Sequence, residues 1–490
     1  MNAEGELREV EQQILERTPE HSIDPSLDRI TELIGLLDDP QRSYPVIHIT
    51  GTNGKTSTAR MTQTLLRARG LRTGLFTSPH LVSMRERISV DGEPLSTERF
   101  IEVYREIEPY LKLVDDNHPV PLSFFEVLAV MAFAAFADAP VDVAVIEVGM
   151  GGTWDATNVA DGAVAVITPV SIDHAKYLGN TVAAIAADKA GIIKPGAVAV
   201  IGQQPVDAAT EILRRAAEVG ASVAREGIEF GVLSRELAVG GQRLAVRGLL
   251  GEYHELFLPL FGAYQAGNAA TALAAVEAFS GGAGSPDGTL AGSGDGASSS
   301  IALSGAAPLD ADLVAEGFAS MTSPGRLEIV RRSPLVLADS AHNPAGMAAT
   351  TAALAESFGP AEVIAVLAVS ADKDVPRILD ELEPTAAAVV VTRNSSSRSM
   401  DPHALADLAR PVFGPDRVHV AERLDDAIEL AVSLADEAAA AIGGPLAGLM
   451  TGEQELGAAA AGTVILITGS VVTAGDARLL LRGGAAGASG

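Results

Sequence analysis

The sequence predicts an α/β protein of two domains: a P-loop domain built on a parallel sheet, then a C-terminal Rossmann-like α/β domain. Three observations carry this. Short apolar runs of the buried parallel-strand type alternate with helical segments along most of the 490 residues. One run, Val46-Ile47-His48-Ile49, leads straight into the glycine turn Thr50-Gly51-Thr52-Asn53-Gly54-Lys55-Thr56 and then a helical segment. Residues 281–307, nearly all Gly, Ala, Ser, Pro and Asp, divide the alternation into two series. The expected domains are therefore 1–308 and 309–490.

Taken in order, residues 7–14 and 27–37 have helical patterns, separated by His21-Ser22-Ile23-Asp24-Pro25. After the P-loop and its helix, a second strand at 72–76 leads into Thr77-Ser78-Pro79-His80-Leu81. Residues 88–94 predict a hairpin with Asp91-Gly92 at its turn. Ser123 and Glu126 have capping-box spacing at the start of a long apolar helix. Strands follow at 141–147, 163–168 and 198–201, with a helix between 178 and 193. Gly-broken alternating segments at 227–259 predict an antiparallel excursion, and a helix at 264–279 closes the first half. Residues 281–307 cannot bury enough surface to offset their ordering entropy and are expected to loop out. In the second half, strands are expected near 335–338, 363–367, 388–392, 418–420 and 464–468. A second Ala/Gly-rich insert, 438–462, is expected to loop out before the last of them.

Composition narrows the function classes. A net charge of −28 argues against a general binder of nucleic acid or anionic membrane. No cysteine is present, so disulfides and thiolate metal sites are excluded. The longest apolar segment, 127–136, is far short of the roughly 20 residues that span a bilayer. The acidic N-terminal stretch has no signal-peptide core. A cytoplasmic monomer acting on small molecules, without nucleic acid or membrane, is expected.

The chemistry begins at the P-loop. A glycine turn before a helix presents backbone N–H groups to a phosphate, Lys55 adds a point charge, and Thr56 can ligate a phosphate-bound Mg²⁺. Asn53 and Gly54 complete the turn. The general P-loop pattern would place its first glycine where Ile49 stands. Glu147 ends a strand and precedes Val148-Gly149-Met150-Gly151-Gly152, so it either holds Mg²⁺ on the rim of the sheet or is a solvated strand-end carboxylate. His174, after the next strand, is either a ligand or a satisfied polar residue. Lys189 reads by itself as an ordinary exposed lysine, and Ser78 before Pro79 as turn chemistry. In the second domain, Asp339 and His342 of Asp-Ser-Ala-His-Asn-Pro follow a strand and either reach a nucleotide's ribose or base, or the segment's Asp or Asn serves as a helix N-cap.

In this order, the segments TGTNGKTST, TSPHLVSMRERI, SFFE, EVGMGGTWDATN, SIDHAKYLG, DKAGIIKPG, PGRLE, DSAHNP, SADKD and ITGS resemble the folylpolyglutamate synthase/dihydrofolate synthase family of the Mur ligase superfamily. TGTNGKT by itself indicates only the superfamily; TSPHL and GGTWDATN point to the folate branch. About 50 residues before the P-loop cannot house the UDP-sugar domain of the wall-building members. The chain departs from the family pattern in its two Ala/Gly-rich inserts and in Thr56-Ser57, where many folate members have a Gly-containing variant.

The resemblance implies a ligase that phosphorylates a folate carboxylate with ATP and couples it to L-glutamate. The acceptor would be dihydropteroate, a reduced folate, or both. Asn53, Gly54, Lys55, Thr56, Asn268, Arg326, Asp339 and His342 would hold ATP. Two Mg²⁺ ions would be held by Ser78, Glu147 and His174. Lys189 matches the lysine that is carbamylated in the family, and with Lys55, Glu147 and His174 would make up the catalytic set. The pterin would lie by Ser22, Ile23, Pro79, His80, Phe124, Phe125, Glu126, Trp154, Asp155 and Ala156. The alternatives are a Mur-type ligase with another carboxylate substrate, or a non-catalytic P-loop regulator. Against the latter, no Asn-Lys-x-Asp guanine-reading element follows a suitable strand.

Overall fold

The computed structural model describes residues 2–19, 24–283, 306–359, 361–442 and 462–483. They divide into two compact units. The first draws on Met1–Glu236, Arg243–Leu258 and Gln265–Met321; the second on Leu237–Gln242, Pro259–Tyr264 and Thr322–Gly490.

The first unit is organised on an eight-stranded sheet. Its strands are β1 (Val46–Thr50), β2 (Thr73–Phe76), β3 (Ile88–Val90), β4 (Glu93–Pro94), β5 (Val143–Glu147), β6 (Gly162–Ile167), β7 (Val198–Ile201) and β8 (Ser222–Arg225). The spatial order is β4-β3-β2-β5-β1-β6-β7-β8. From β2 to β8 the pairs are parallel; β3 and β4 add an antiparallel edge. β1 and β5 are buried along their whole length, as β-branched runs covered on both faces should be. The predicted hairpin turn has Asp91 and Gly92 both at positive φ, 55° and 85°, as a type I′ turn requires.

Helices Ala3–Leu15, Asp28–Leu36, Thr97–Asn117 and Phe124–Asp138 close one face over a core that includes Ile14, Leu33, Phe100, Phe133 and Phe136. The Ser123–Glu126 capping box is present at the start of the last of them. The antiparallel excursion is a three-stranded sheet of β9 (Gly231–Ala238), β10 (Gly241–Arg247) and β11 (Glu252–Leu258), and helix Ala263–Ala278 follows it.

The second unit's sheet has β12 (Glu328–Arg332), β13 (Leu335–Ala338), β14 (Glu362–Leu367), β15 (Ala386–Val391), β16 (Val418–Val420) and β17 (Thr463–Thr468), in the order β12-β13-β17-β14-β15-β16. Only β12 is antiparallel to its neighbour. Chain order and spatial order diverge because β17 inserts between β13 and β14.

The inserts need one correction. Residues 438–442, expected to loop out, instead complete helix Leu424–Ile442, because a run of alanines propagates a helix already nucleated. The rest of that insert to 461, and 284–305 of the first, lie outside the described residues.

Candidate active site

Strand register builds the site. Ile49 pairs with Glu147, and Thr50 with Ile167, so the carboxyl ends of β5, β1 and β6 stand side by side. Ligands of open parallel sheets bind at that edge. The chain leaves β1 through Gly51, where a Cβ would lie 1.8 Å from Thr168 Oγ1. It enters helix Lys55–Ala68 through Gly54, at φ +87°, where a Cβ would lie 2.5 Å from Asn268 Oδ1. No side chain caps this helix start, which suits an N-terminus that receives an anion. Ile49, at the place of the missing first glycine, is fully buried as an ordinary strand residue.

Two lysines converge on one carbonyl. Lys55 Nζ donates to Gly51 O at 3.2 Å and Lys189 Nζ donates to the same oxygen at 2.8 Å. Lys189 is 3% exposed, so its reading as an ordinary surface lysine is overturned: the end of helix Val182–Lys189 turns it under the P-loop. Burial, and then the nearby Lys55 charge, push its amine down to about 7. Next to it, burial raises the Asp188 carboxyl.

Glu147 is buried, not a solvated strand end. Its Oε1 accepts from Thr56 Oγ1 at 2.8 Å and its Oε2 from Ser78 N at 3.3 Å. Ser78 is brought in by the loop after β2, across a cis Ser78–Pro79 bond. A carboxylate and two hydroxyl-bearing residues thus meet beside the phosphate turn. Among the described residues no three His, Asp or Glu side chains cluster as a metal site. Donors of the Thr56–Ser78–Glu147 kind suit a hard cation such as Mg²⁺, which keeps waters and phosphate oxygens among its ligands.

His174 lies beyond this group on a loop that also touches the turn. Thr52 N and Asn53 N donate to Pro169 O at 3.1 and 3.3 Å, and Asn53 Nδ2 donates to Ser171 Oγ at 3.3 Å. Three residues later His174 adopts a left-handed φ of 52° with a partly exposed side chain, its ring 3.9 Å from Asp173. Asn268 Nδ2 donates to Gln265 Oε1, holding its own oxygen over Gly54.

The residues expected around the pterin divide into two groups. Phe125 is half-buried, its ring 5.7 Å from that of Phe76 and against the backbone of Gly149. Trp154 is half-buried and Pro79 exposed. By contrast Phe124 is buried under the Arg87 guanidinium at 5.0 Å, and Arg87 Nε donates to His80 Nδ1 at 2.9 Å. Glu126 closes the capping box and accepts from Arg29 Nε at 3.1 Å, a buried ion pair absent from the sequence reading. Asp155 is buried and accepts from Met150 N and Thr157 N, both at 2.9 Å, and from Thr157 Oγ1. Thr157 Oγ1 in turn lies 2.9 Å from His48 Nε2, whose ring burial pushes down to about 3. With the Thr157 proton given to Asp155, His48 is neutral and carries its proton on Nε2. Ala156 is buried in the same turn, and Ser22 and Ile23 lie outside the described residues.

In the second unit, Asp339 follows β13 and is buried. Its Oδ2 accepts from Leu327 N, and its Oδ1 from Ala341 N and Thr350 Oγ1, each at 2.9 Å. It therefore ties Arg326-Leu327 to the loop that carries His342, whose Nδ1 lies 2.9 Å from Ser340 O. Helix capping in this loop falls to Asn343, not Asp339.

The chain is similar to known proteins along most of its length. Residues 49–276 match the Mur ligase middle domain and 325–442 the Mur ligase glutamate ligase domain. Over 97% of the chain it is 51% identical to a dihydrofolate synthase/folylpolyglutamate synthase of Mycobacterium tuberculosis, covering 93% of that protein. It is 32% identical, over 74% of the chain and 76% of the relative, to the Escherichia coli enzyme of the same name. The solved M. tuberculosis folylpolyglutamate synthase complexed with ADP superposes with a TM-score of 0.86, at 50% identity and over 98% of this chain and 99% of that one. An E. coli FolC structure in complex with DHPP and ADP gives 0.77, at 26% identity and over 98% of both chains. The chain belongs to the dihydrofolate synthase/folylpolyglutamate synthase family of Mur ligases.

Proposed function

We propose that this enzyme is an ATP-dependent ligase that joins L-glutamate to dihydropteroate, to reduced folates, or to both, through an acyl phosphate. The observation that carries the reading is a glycine turn at a sheet edge whose Gly51 carbonyl takes both Lys55 and Lys189, with Thr56 at the turn's end and Ser78 N bonded to Glu147. Identity to a dihydrofolate synthase/folylpolyglutamate synthase over both Mur domains leaves the regulator and the other-substrate ligase without support.

A carboxylate is a poor electrophile toward an amine. In the proposed reaction, a carboxylate oxygen of the folate attacks the γ-phosphorus of ATP and ADP leaves. The α-amine of glutamate, having lost a proton, then attacks the acyl carbon; inorganic phosphate leaves and an amide remains. Positioning and charge neutralisation are what a protein can contribute to such a transfer. Asn53, Gly54 and Thr56 would cradle the phosphates, with Lys55 turning from Gly51 O to the anion. Thr56, Ser78 and Glu147, with His174, would hold two Mg²⁺ ions, whose charge offsets that of the transferring group.

Lys189 has the property a carbamate needs, an amine pushed down to about 7, so that a large share is unprotonated there and able to take up CO₂. Asn268, Arg326, Asp339 and His342 would contact ATP, Asp339 using the acceptor site left on Oδ2. Phe125 and Trp154 offer aromatic faces to a flat pterin; Pro79, His80, Phe124, Glu126, Asp155 and Ala156, with Ser22 and Ile23, would shape its surroundings. We assign ATP to a domain spanning 1–308 and glutamate to 309–490, in a cytoplasmic monomer. No described helix is long and apolar enough to cross a membrane.

Purified protein supplied with ATP, Mg²⁺ and glutamate should release phosphate when given dihydropteroate or tetrahydrofolate monoglutamate. Silence with both acceptors, alongside turnover of a UDP-muramoyl substrate, would replace this reading with the other Mur-type one.

A further inference from the structure

We propose that Gln204 is a positioning residue for the phosphate turn, acting through the loop that follows β6. The inference rests on nucleotide binding at that turn. Gln204 lies beyond the end of β7, half-buried, in a stretch with no motif of its own. Its amide group makes three bonds to one short loop. Nε2 donates to Ile167 O at 3.3 Å and to Thr168 O at 3.0 Å, while Oε1 accepts from Val170 N at 3.0 Å. Only a primary amide supplies donors and an acceptor in this arrangement; a carboxylate would face two carbonyls with like partial charge.

The loop so held is what the phosphate turn leans on. Pro169 O receives both Thr52 N and Asn53 N. Thr52 Oγ1 donates to Ser171 O at 2.9 Å and accepts from Ser171 N at 3.0 Å. Thr168 abuts Gly51 so closely that no Cβ fits between them. The three side-chain bonds of Gln204 go to residues 167–170, so its effect on the nucleotide passes through that loop. The same loop runs on to His174. Gln204 is anchored from its other side: Gln203 N donates to Glu226 Oε2 at 2.8 Å, and Gly202 N to Ile167 O at 2.9 Å. A ligand that pulls on Thr52 or Asn53 therefore meets a loop whose carbonyls and amide are already held.

The test compares Gln204→Ala, Gln204→Glu and, as a control with an exposed side chain, Gln203→Ala. Loss of the three bonds is expected to raise Kd for ADP and KM for ATP about tenfold in Gln204→Ala. In that variant kcat should fall while KM for glutamate and for the folate stays put. Gln204→Glu, which keeps the acceptor and loses both donations, should be at least as impaired, and Gln203→Ala unchanged. By hydrogen exchange the amides of Thr52, Asn53 and Val170 should open faster in the Gln204 variants, with β1, β6 and β7 unaffected. The proposal is overturned if ADP affinity and exchange are unchanged, if all three KM values shift together, or if neither Gln204 variant folds. Failure of the wild-type protein to bind ADP would instead remove the nucleotide reading, and this inference with it.

Discussion

Glu147 and Asp339 occupy the same kind of place, each a buried carboxylate at the carboxyl end of a parallel strand followed by small residues. Their partners differ. Glu147 receives the Thr56 hydroxyl from the first turn of helix Lys55–Ala68 and the Ser78 amide from the loop after β2. Asp339 receives two backbone amides and the Thr350 hydroxyl from the segments around it. The first arrangement joins segments that are far apart in sequence through one carboxylate. The second uses a carboxylate to hold a loop in shape. Strand-end position alone does not separate the roles; what separates them is which groups the neighbouring loops deliver.

The sharpest way to break this contrast is to remove Glu147. Glu147→Ala should lower kcat for phosphate release by about a thousandfold, the scale of losing a main electrostatic contact in phosphoryl transfer, with a modest fall in Tm from the unpaired Thr56 hydroxyl and Ser78 amide. An active Glu147→Ala enzyme would remove the proposed metal-holding role from Glu147. A third carboxylate offers a benchmark for stability. Glu126 shares a buried ion pair with Arg29, whereas Asp24, on the same arginine, is 55% exposed. Glu126→Ala should therefore cost about 3 kcal/mol in denaturant unfolding, and Asp24→Ala under about 1 kcal/mol. Equal effects would mean that solvent reaches the Arg29–Glu126 pair.

Asp339→Ala should destabilise the fold by about 2 kcal/mol, because it leaves two amides and a hydroxyl unpaired in a buried site. If Asp339→Ala lost turnover as completely as Glu147→Ala without any fall in stability, the two carboxylates would be doing the same work.

A pH-dependent effect attaches to Lys189. Its amine titrates near 7 in the folded chain and near its ordinary 10.5 when unfolded. Between those values the unfolded chain binds more protons, so stability gains as pH rises; below 7 the cost of burying the charge is fully present. In CO₂-free buffer Lys189→Met should therefore raise Tm at pH 6 and do so less at pH 9. Added bicarbonate should stimulate the wild-type enzyme more as pH rises through 7, and ¹³C-bicarbonate should give a carbamate resonance that Lys189→Met lacks. A Tm difference independent of pH would contradict the depressed amine.

Much of this molecule was legible from residue order. Runs such as Val46–Thr50 and Val143–Glu147 announce fully buried parallel strands because β-branched residues must be covered on both faces. Asp91-Gly92 specifies its hairpin turn, Ser123 and Glu126 their capping box, and the folate-family motifs the candidate site. These signals are local: each depends on a few neighbours and on backbone geometry. The burial of Lys189 was not legible, because it is created by a helix end passing under a turn 138 residues away in sequence.

The same limit applied to the Arg29–Glu126 pair and to Gln204, whose partners come from other segments and leave no trace in spacing. Sequence by itself determined the strands, the helix starts, the glycine turn and the family. Only the tertiary structure decided which of the polar residues at the sheet edges are buried and which groups they bond to. That choice depends on strand register and on burial, which no short stretch of chain contains.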